Sequence, residues 1–401
     1  MSKSSYLLLA VLASVPIQLG KFIFLDHSFV LGIPIDYRAL AIYFSDLIVI
    51  SYIFVFIFEN RLKLPKLFKK NKEVILSLVI FNSYLLLNAA FSTSKLPSLI
   101  FSLKIIILST LSIFALYTFS QKLFQRKTKT ILSQVLFLES AIIIGQFVLQ
   151  KSLGLWILGE RSFDSTTVSI AHTQVFGREL LRSYGTFPHP NVAAAFIVFS
   201  LIIASSYLFK GPRNKLILAL AAIAILLTFS KSAIIVLFIS LIILFYSGKK
   251  LILLFFSLFT FGFFWATTYL SSPVATIAER LLLAQVALDI SGKNLLFGVG
   301  SNNFILELSS LHLTSLSQTR LLQPVHNVFL LILTENGIIG LLLFTLVLFV
   351  VSKNIKNKTS AALFVGILIY ASVDHFLWTL HQGQLLFFLS ISFILSFKNK
   401  A

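Results

Sequence analysis

The stretch Arg61-Leu-Lys-Leu-Pro-Lys-Leu-Phe-Lys-Lys-Asn-Lys72 places six lysine and arginine side chains between two apolar runs, near 40–58 and 74–91. Each run has the length, about 17–25 residues, that crosses about 30 Å of hydrocarbon. A short basic segment between two such runs marks a cytoplasmic connection, because lysine and arginine are retained on that side. The pattern recurs at Lys122 to Lys129, Lys210 to Lys215, Lys249-Lys250, Lys353 to Lys358 and Lys398 with Lys400. With Lys3, these segments hold 21 of the 33 basic residues, and only Glu59 and Glu73 of the 14 acids flank them.

Working outward from that stretch, the sequence predicts about twelve spans. They lie near 6–25, 40–58, 74–91, 99–119, 130–150, 191–209, 215–229, 232–247, 251–270, 327–351, 361–377 and 382–397. None shows the alternation of a barrel strand, so helices must satisfy the backbone inside lipid. The expected fold is an all-α polytopic membrane protein with both termini cytoplasmic. It is one membrane domain over 1–401, with two long outer loops near 151–190 and 271–326 that carry short amphipathic helices. The N-terminal run superficially resembles a signal peptide, but no small-residue cleavage site follows, so it reads as an uncleaved first span.

Composition agrees. The 401 residues are 57% hydrophobic and 12% charged, against about 45–50% and about 25% in soluble domains. The mean hydropathy is +0.95. A net charge of +19 would suggest nucleic acid in a soluble chain; here it reflects topology and anionic headgroups, and no nucleic-acid partner is expected. With no cysteine, disulfides and thiolate metal sites are excluded.

The two long loops hold His172, His189, His312 and His326 with Arg161, Arg178, Arg182, Arg280 and Arg320. Cations on the outer side oppose the topological bias, so their placement needs another cause. In Arg182-Ser-Tyr-Gly-Thr-Phe-Pro-His-Pro-Asn191, Gly185, Pro188 and Pro190 force a non-helical approach, and Asn191 suits an N-cap. An arginine beside a helix N-terminus is an anion site or a headgroup anchor. Thr228-Phe-Ser-Lys-Ser232 is a tight turn in which Lys231 faces phosphate or marks the interface. Glu279 to Asp289 reads as an amphipathic helix on the outer surface, followed by the Gly298-Val-Gly300 turn, which lacks the third glycine of a dinucleotide fingerprint. Pro324-Val-His-Asn327 opens a span containing Glu335, which a helical rise puts about mid-membrane. An intramembrane carboxylate, Glu335 or Glu139, is a functional candidate or a helix–helix hydrogen bond. Asp374, His375 and His381 on the last outer turn read as structural or peripheral, or as part of the same vestibule. No histidine pair has zinc spacing and the loop carboxylates are scattered, so no metal is expected.

Four of these stretches, in order over about 180–340, resemble the O-antigen ligase/polymerase superfamily of bacterial envelope enzymes. They are Arg-x-x-Gly-Thr-Phe-x-His-Pro-Asn, the Thr-x-Ser-Lys-x turn, the Arg280 helix leading to Phe-Gly-Val-Gly, and His-Asn-x-x-Leu…Glu-x-Gly-x-x-Gly. The family commonly has arginine where Lys231 stands, so charge is kept but the bidentate fork is lost. The resemblance implies a multi-pass protein of the bacterial inner membrane with its active site on the periplasmic or extracellular face. It implies transfer of a glycan from a polyprenyl-pyrophosphate donor to an acceptor hydroxyl, with no cofactor and inversion at the sugar. The partners it implies are that lipid-linked donor, a glycan, lipid or other hydroxyl acceptor, and membrane lipids. Arg182 and Arg280 are then the expected pyrophosphate clamps, and His326 is the expected base or a group that orients the acceptor or contacts the pyrophosphate. Tyr184, His189, Asn191, Lys231, Gly298, Gly300, Asn327 and Glu335 are the expected substrate contacts.

A secondary transporter or flippase shares the span count, but transporters concentrate polar residues near the midplane and keep outer loops short. Nothing argues positively for a scaffold. Because the chain lacks cysteine, its topology is directly testable. Lys66→Cys and Lys356→Cys should react with a membrane-impermeant maleimide only after permeabilisation, and Glu179→Cys in intact cells; labelling of the Lys66→Cys protein in intact cells would invert the orientation.

Overall fold

The computed structural model describes residues 1–168, 170–175, 177–208, 212–245, 274–310 and 321–396. The expected span 251–270, His312, Arg320, Lys210, the Lys249-Lys250 pair, Lys398 and Lys400 lie outside the described residues. The helices are α1 (Lys3–Ser14), α2 (Phe44–Asn60), α3 (Leu64–Lys70), α4 (Lys72–Phe91), α5 (Lys95–Phe119), α6 (Lys122–Leu149), α7 (Pro190–Leu208), α8 (Pro212–Leu227) and α9 (Lys231–Phe245). There follow α10 (Val274–Lys293), α11 (Phe304–Ser310), α12 (Val328–Ser352), α13 (Lys358–Val373), α14 (Phe376–Thr379) and α15 (His381–Ser396). Four of them, α4, α5, α6 and α12, are long and apolar enough to cross a membrane. Shorter apolar helices, including α1, α9, α13 and α15, stand beside them. The chain is a mainly helical multi-pass membrane protein.

The first two expected spans differ from their hydropathy. Pro16 has no N–H to donate, and α1 ends at Ser14. The rest of that apolar run becomes strand β1 (Gly20–Ile23), paired antiparallel with β4 (Leu40–Tyr43), the start of the second run. Short runs rich in Phe and Ile suit strand and helix alike, and hydropathy does not separate them. Between them lie β2 (Phe29–Val30) and β3 (Ile33–Pro34). A further hairpin, β5 (His172–Val175) with β6 (Arg178–Leu181), occupies the 151–190 loop.

At the centre stands α15, every residue of which is buried. A helix apolar on all sides belongs inside a bundle, and α15 packs on α5, α13 and α14.

The decisive feature is a break in α12. Gly337 has φ 65° and ψ −174°, far from helical, in a region open essentially to glycine alone. Segment 295–300 docks on the break. Val299 and Gly300 N–H groups donate to Thr334 and Glu335 carbonyls at 3.1 and 2.7 Å, and Ile338 N–H donates to Leu295 O at 2.8 Å. From α4, Tyr84 donates to Asn336 O at 2.6 Å and Asn88 to Phe297 O at 2.6 Å. The backbone groups freed by the break are thereby satisfied, which low-polarity surroundings require. A Cβ on Gly337 would collide with the Leu296 carbonyl.

The helix expected in the 271–326 loop is present as α10, and it packs along α12 through Leu283, Ala287 and Ile290, all buried. Its other side also carries exposed leucines, at 281, 282 and 288, so it lacks the polar face of a surface helix. Ser291 and Thr334 hydroxyls meet at 3.0 Å, fixing the register.

Gly337→Ala is expected to destabilise the protein by at least about 3 kcal/mol, adding backbone strain to the collision with Leu296. Thermal unfolding in detergent should show this, while Gly292→Ala, where a Cβ meets nothing within 4 Å, should melt near wild type.

Candidate active site

A cavity of about 1010 Å³ opens at one end of the bundle. Its walls come from the 18–43 connection, the α5 start, the 159–191 loop, α10, residues 323–326 and the 374–384 turn. Arg182, Tyr184, His189, Asn191, Arg280 and His326 all line it. These residues span more than a hundred positions of sequence, and the structure brings them together.

The Arg182 loop is fixed from beneath by α6. Gln146 accepts from the Tyr184 and Gly185 amides at 3.0 and 2.8 Å and donates to Gly185 O at 2.8 Å. Glu139 accepts from the Thr186 amide and hydroxyl at 3.2 and 2.8 Å, a hydrogen-bonding role that the sequence left as one of two possibilities. The cap of α7 is His189, with Pro190 at the first helical position and not Asn191 as expected. Proline starts a helix without losing a hydrogen bond, and the Asn191 amide donates to His189 Nδ1 at 3.1 Å. The Asn191 side chain is thus released for another task. It accepts from Arg182 Nη2 at 2.8 Å and donates to Asp374 Oδ2 at 2.7 Å. Arg182 Nε donates to Thr228 O at 2.9 Å, leaving Nη1 without a partner among the described residues.

Arg280 and His326 converge at the end of α13. The last carbonyls of a helix have no partner within it. Arg280 Nη1 donates to Val373 O at 3.3 Å, and Asn327 Nδ2 donates to Ser372 O at 3.0 Å. Asn327 also caps α12, accepting from Leu330 N–H at 2.9 Å. The His326 ring lies 5.0 Å from that of His375, and His326 Nδ1 is buried without a partner among the described residues.

The electrostatics of the site are dominated by cations. Arg182, Arg280 and Lys231 stand within repulsive reach of one another. Burial pulls the Arg182 guanidinium down to about 10 and Arg280 adds to the shift, yet it stays charged at neutral pH. Burial, then His375 and Arg280, take His326 down to about 3. Burial and Arg182 likewise lower His189, and burial lowers His375. Asp374 ionises below the usual carboxylate range: burial opposes it, and the imidazoles and Arg280 outweigh burial. At neutral pH the site therefore presents ionised Asp374, neutral imidazoles and clustered cations.

The remaining expected contacts lie outside the cavity wall. Gly298 and Gly300 have φ +70° and +94°; a side chain on Gly298 would strike the Glu335 backbone, and one on Gly300 would strike Ser92. The Glu335 carboxyl accepts from Phe304 N–H at 3.3 Å and faces the Asn302 and Asn303 amides, so it meets free N–H groups at the start of α11. Asn327 acts through its caps, and Lys231 stands beside the two arginines without lining the cavity.

Sequence reading missed Arg38 and Lys104 and undervalued Asp374, His375 and His381. Arg38 is 2% exposed. It donates to His27 O at 2.8 Å, Asn302 O at 2.7 Å and Asn303 Oδ1 at 3.0 Å, pinning the first connection to the 295–303 segment. Asp374, His375 and His381 all line the cavity. Their signal was a carboxylate and two imidazoles within eight residues between apolar helices.

Residues 216–345 match the family model for O-antigen ligase. That match supports the resemblance to the O-antigen ligase/polymerase superfamily that the motifs carry. No curated protein matches the chain. The matched segment contains Lys231, Arg280, His326 and the Gly337 break, and Arg182 precedes it. For an O-antigen ligase-type chain, glycan transfer at a membrane is the activity that this family suggests.

The lowered imidazoles carry a pH signature. Between the ordinary value of about 6.5 and the depressed folded value, the unfolded chain binds protons that the folded chain refuses, so stability rises with pH across that window. The melting temperature should therefore fall between about pH 7.5 and about pH 5. His326→Asn should shrink that fall; an unchanged slope would mean that His326 titrates normally.

Proposed function

We propose that this protein transfers a glycan from a polyprenyl-pyrophosphate donor to an acceptor hydroxyl at the outer leaflet. The observation that carries the reading is that Arg182 and Arg280 line one cavity beside neutral histidines, with Lys231 close to them but off its wall. Like charges held together cost energy until an anion joins them, and arginine grips phosphate oxygens in a fork.

In the reaction, the acceptor oxygen attacks the anomeric carbon and forms the new C–O bond. The bond from that carbon to the phosphate oxygen breaks, and its electron pair leaves on the polyprenyl pyrophosphate. Single displacement inverts the anomeric centre. Arg182 and Arg280 lie where charge grows on the leaving group, which is the interaction that lowers a barrier. His326 is neutral at working pH, as a base must be, and takes the hydroxyl proton as attack proceeds. The dianionic donor raises its basicity, because a nearby negative charge favours the imidazolium. Asp374 faces His375 and His326 and stabilises that cation, while Asn191 ties Asp374 to Arg182. Tyr184 and His189 shape the wall beside the leaving group. Ligase and repeat-unit polymerase differ in the acceptor, which this site admits in either form.

The Gly337 break gives a transporter or flippase reading one specific support, since transporters bind substrate at interrupted helices. Here the interruption is filled by segment 295–300 and does not line the cavity. Glycan transfer therefore fits better.

Arg182→Ala, Arg280→Ala and His326→Ala should each lower transfer at least about 100-fold with normal membrane levels of protein. Arg182→Lys should lose more than about tenfold, because a point charge does not replace the fork. Transfer by His326→Ala within about twofold of wild type would remove His326 as the base.

A further inference from the structure

The arginine cluster occupies only part of the cavity, and a second polar group stands on its wall. Lys104, from α5, lines the cavity, as do Tyr43, His381 and Gln384. Its ammonium lies 5.6 Å from the Tyr43 ring centroid and makes no hydrogen bond or ion pair with any described residue. An ammonium carries three donors, and one set among apolar helices without acceptors is costly unless something fills the space. Asp46 is the opposite charge that acts on it. Asp46 Oδ2 accepts from Tyr43 N–H at 2.9 Å, and Oδ1 lies 3.7 Å from His381 Nδ1. His381 is held by Ser45 Oγ at 2.7 Å from Nε2 and stacks on Tyr43 with centroids 4.2 Å apart. Its Nδ1 and Gln384 Oε1 are buried without partners among the described residues.

We infer that Lys104, with Tyr43, His381 and Gln384 on the same wall and Asp46 behind them, forms a second subsite of the cavity that binds carbohydrate hydroxyl groups. This rests on the proposed glycan transfer. The charge balance separates the two ends. The arginine cluster has an excess of cations and suits a dianion. The second group sets one cation against one carboxylate, so a phosphate gains from Lys104 what it loses to Asp46. A hydroxyl oxygen accepts from the Lys104 ammonium and brings no charge for Asp46 to repel. The volume agrees: about 1010 Å³ is at the upper end of small-molecule sites and holds sugar residues beyond a pyrophosphate.

The test uses full-length protein in detergent with polyprenyl-pyrophosphate oligosaccharide and an oligosaccharide acceptor. Lys104→Met and Asp46→Asn should each raise KM for one of the two substrates by about tenfold or more, with kcat within about threefold of wild type. The substrate whose KM moves identifies whether the subsite holds the donor glycan or the acceptor glycan. Inhibition by inorganic pyrophosphate should be unchanged in Lys104→Met and weakened in Arg280→Ala. Unchanged KM values in a normally melting Lys104→Met protein would overturn the inference, and so would pyrophosphate inhibition weakened in that variant with sugar KM values intact. Lys104→Gln removes the charge but stays polar, and carries the same expectation if the methionine variant is not recovered. If wild-type protein transfers nothing, the proposed function fails by itself, and saturation-transfer NMR with the free oligosaccharide decides the subsite. Binding by wild type and its loss in Lys104→Met would sustain it; equal signals, or none, would overturn it.

Discussion

The structure depends on one interrupted helix. α12 stops being helical at Gly337, and the backbone groups this exposes are bonded by segment 295–300 and by Tyr84. No residue with a Cβ fits there. The interruption converts α12 from an isolated span into a socket, and the segment that fills it is the continuation of α10. Because the socket fixes where residue 295 sits, it also fixes where α10 runs. Ser291 meets Thr334, and α10 lies alongside α12 with both N-termini at the cavity end. Arg280, about 16 Å along α10 from Ser291, and His326, just before the start of α12, are both carried to the cavity end. The free carbonyls of α13 at Ser372 and Val373 then take hydrogen bonds from both sides of that pair.

Around this frame the remaining elements serve to place charge. α6 holds the 182–189 loop through Gln146 and Glu139, so that Arg182 points where Asn191 and Thr228 receive it. Asn191 carries the connection across to Asp374. Arg38 and Glu335, both buried, bind the 302–304 turn from two sides. Buried charges of this kind are stable only when their hydrogen bonds are met, and those bonds are the reason that distant loops share one geometry. The outcome is a cavity whose cations are mutually repulsive and partly unsatisfied, a state that an anionic ligand relieves.

Much of this was legible in the sequence. The basic connections and apolar runs gave the multi-pass helical class, and the family match agrees with the motif reading. Arg182, Arg280 and His326 stood out as outer-loop residues whose presence topology does not explain. Other parts were hidden for physical reasons. The strands β1 and β4 have the same hydropathy as the helices expected there. Glu335 was visible as a costly intramembrane acid, but whether it faces a cavity or a helix terminus depends on the fold of residues 295–304. Gly298 and Gly300 read as substrate contacts; the groups that approach them are the Glu335 backbone and Ser92. Lys104 and Arg38 were single cations in apolar or irregular surroundings, and nothing local distinguishes a buried cation from one that reaches the interface.

The most direct measurement is mass spectrometry of the purified protein incubated with polyprenyl-pyrophosphate oligosaccharide and a hydroxyl acceptor, in the presence of a metal chelator. The account predicts free polyprenyl pyrophosphate and a transferred glycan with inverted anomeric configuration, in equal amounts. Recovery of intact donor with every acceptor class supplied, from protein that melts cooperatively, would contradict it.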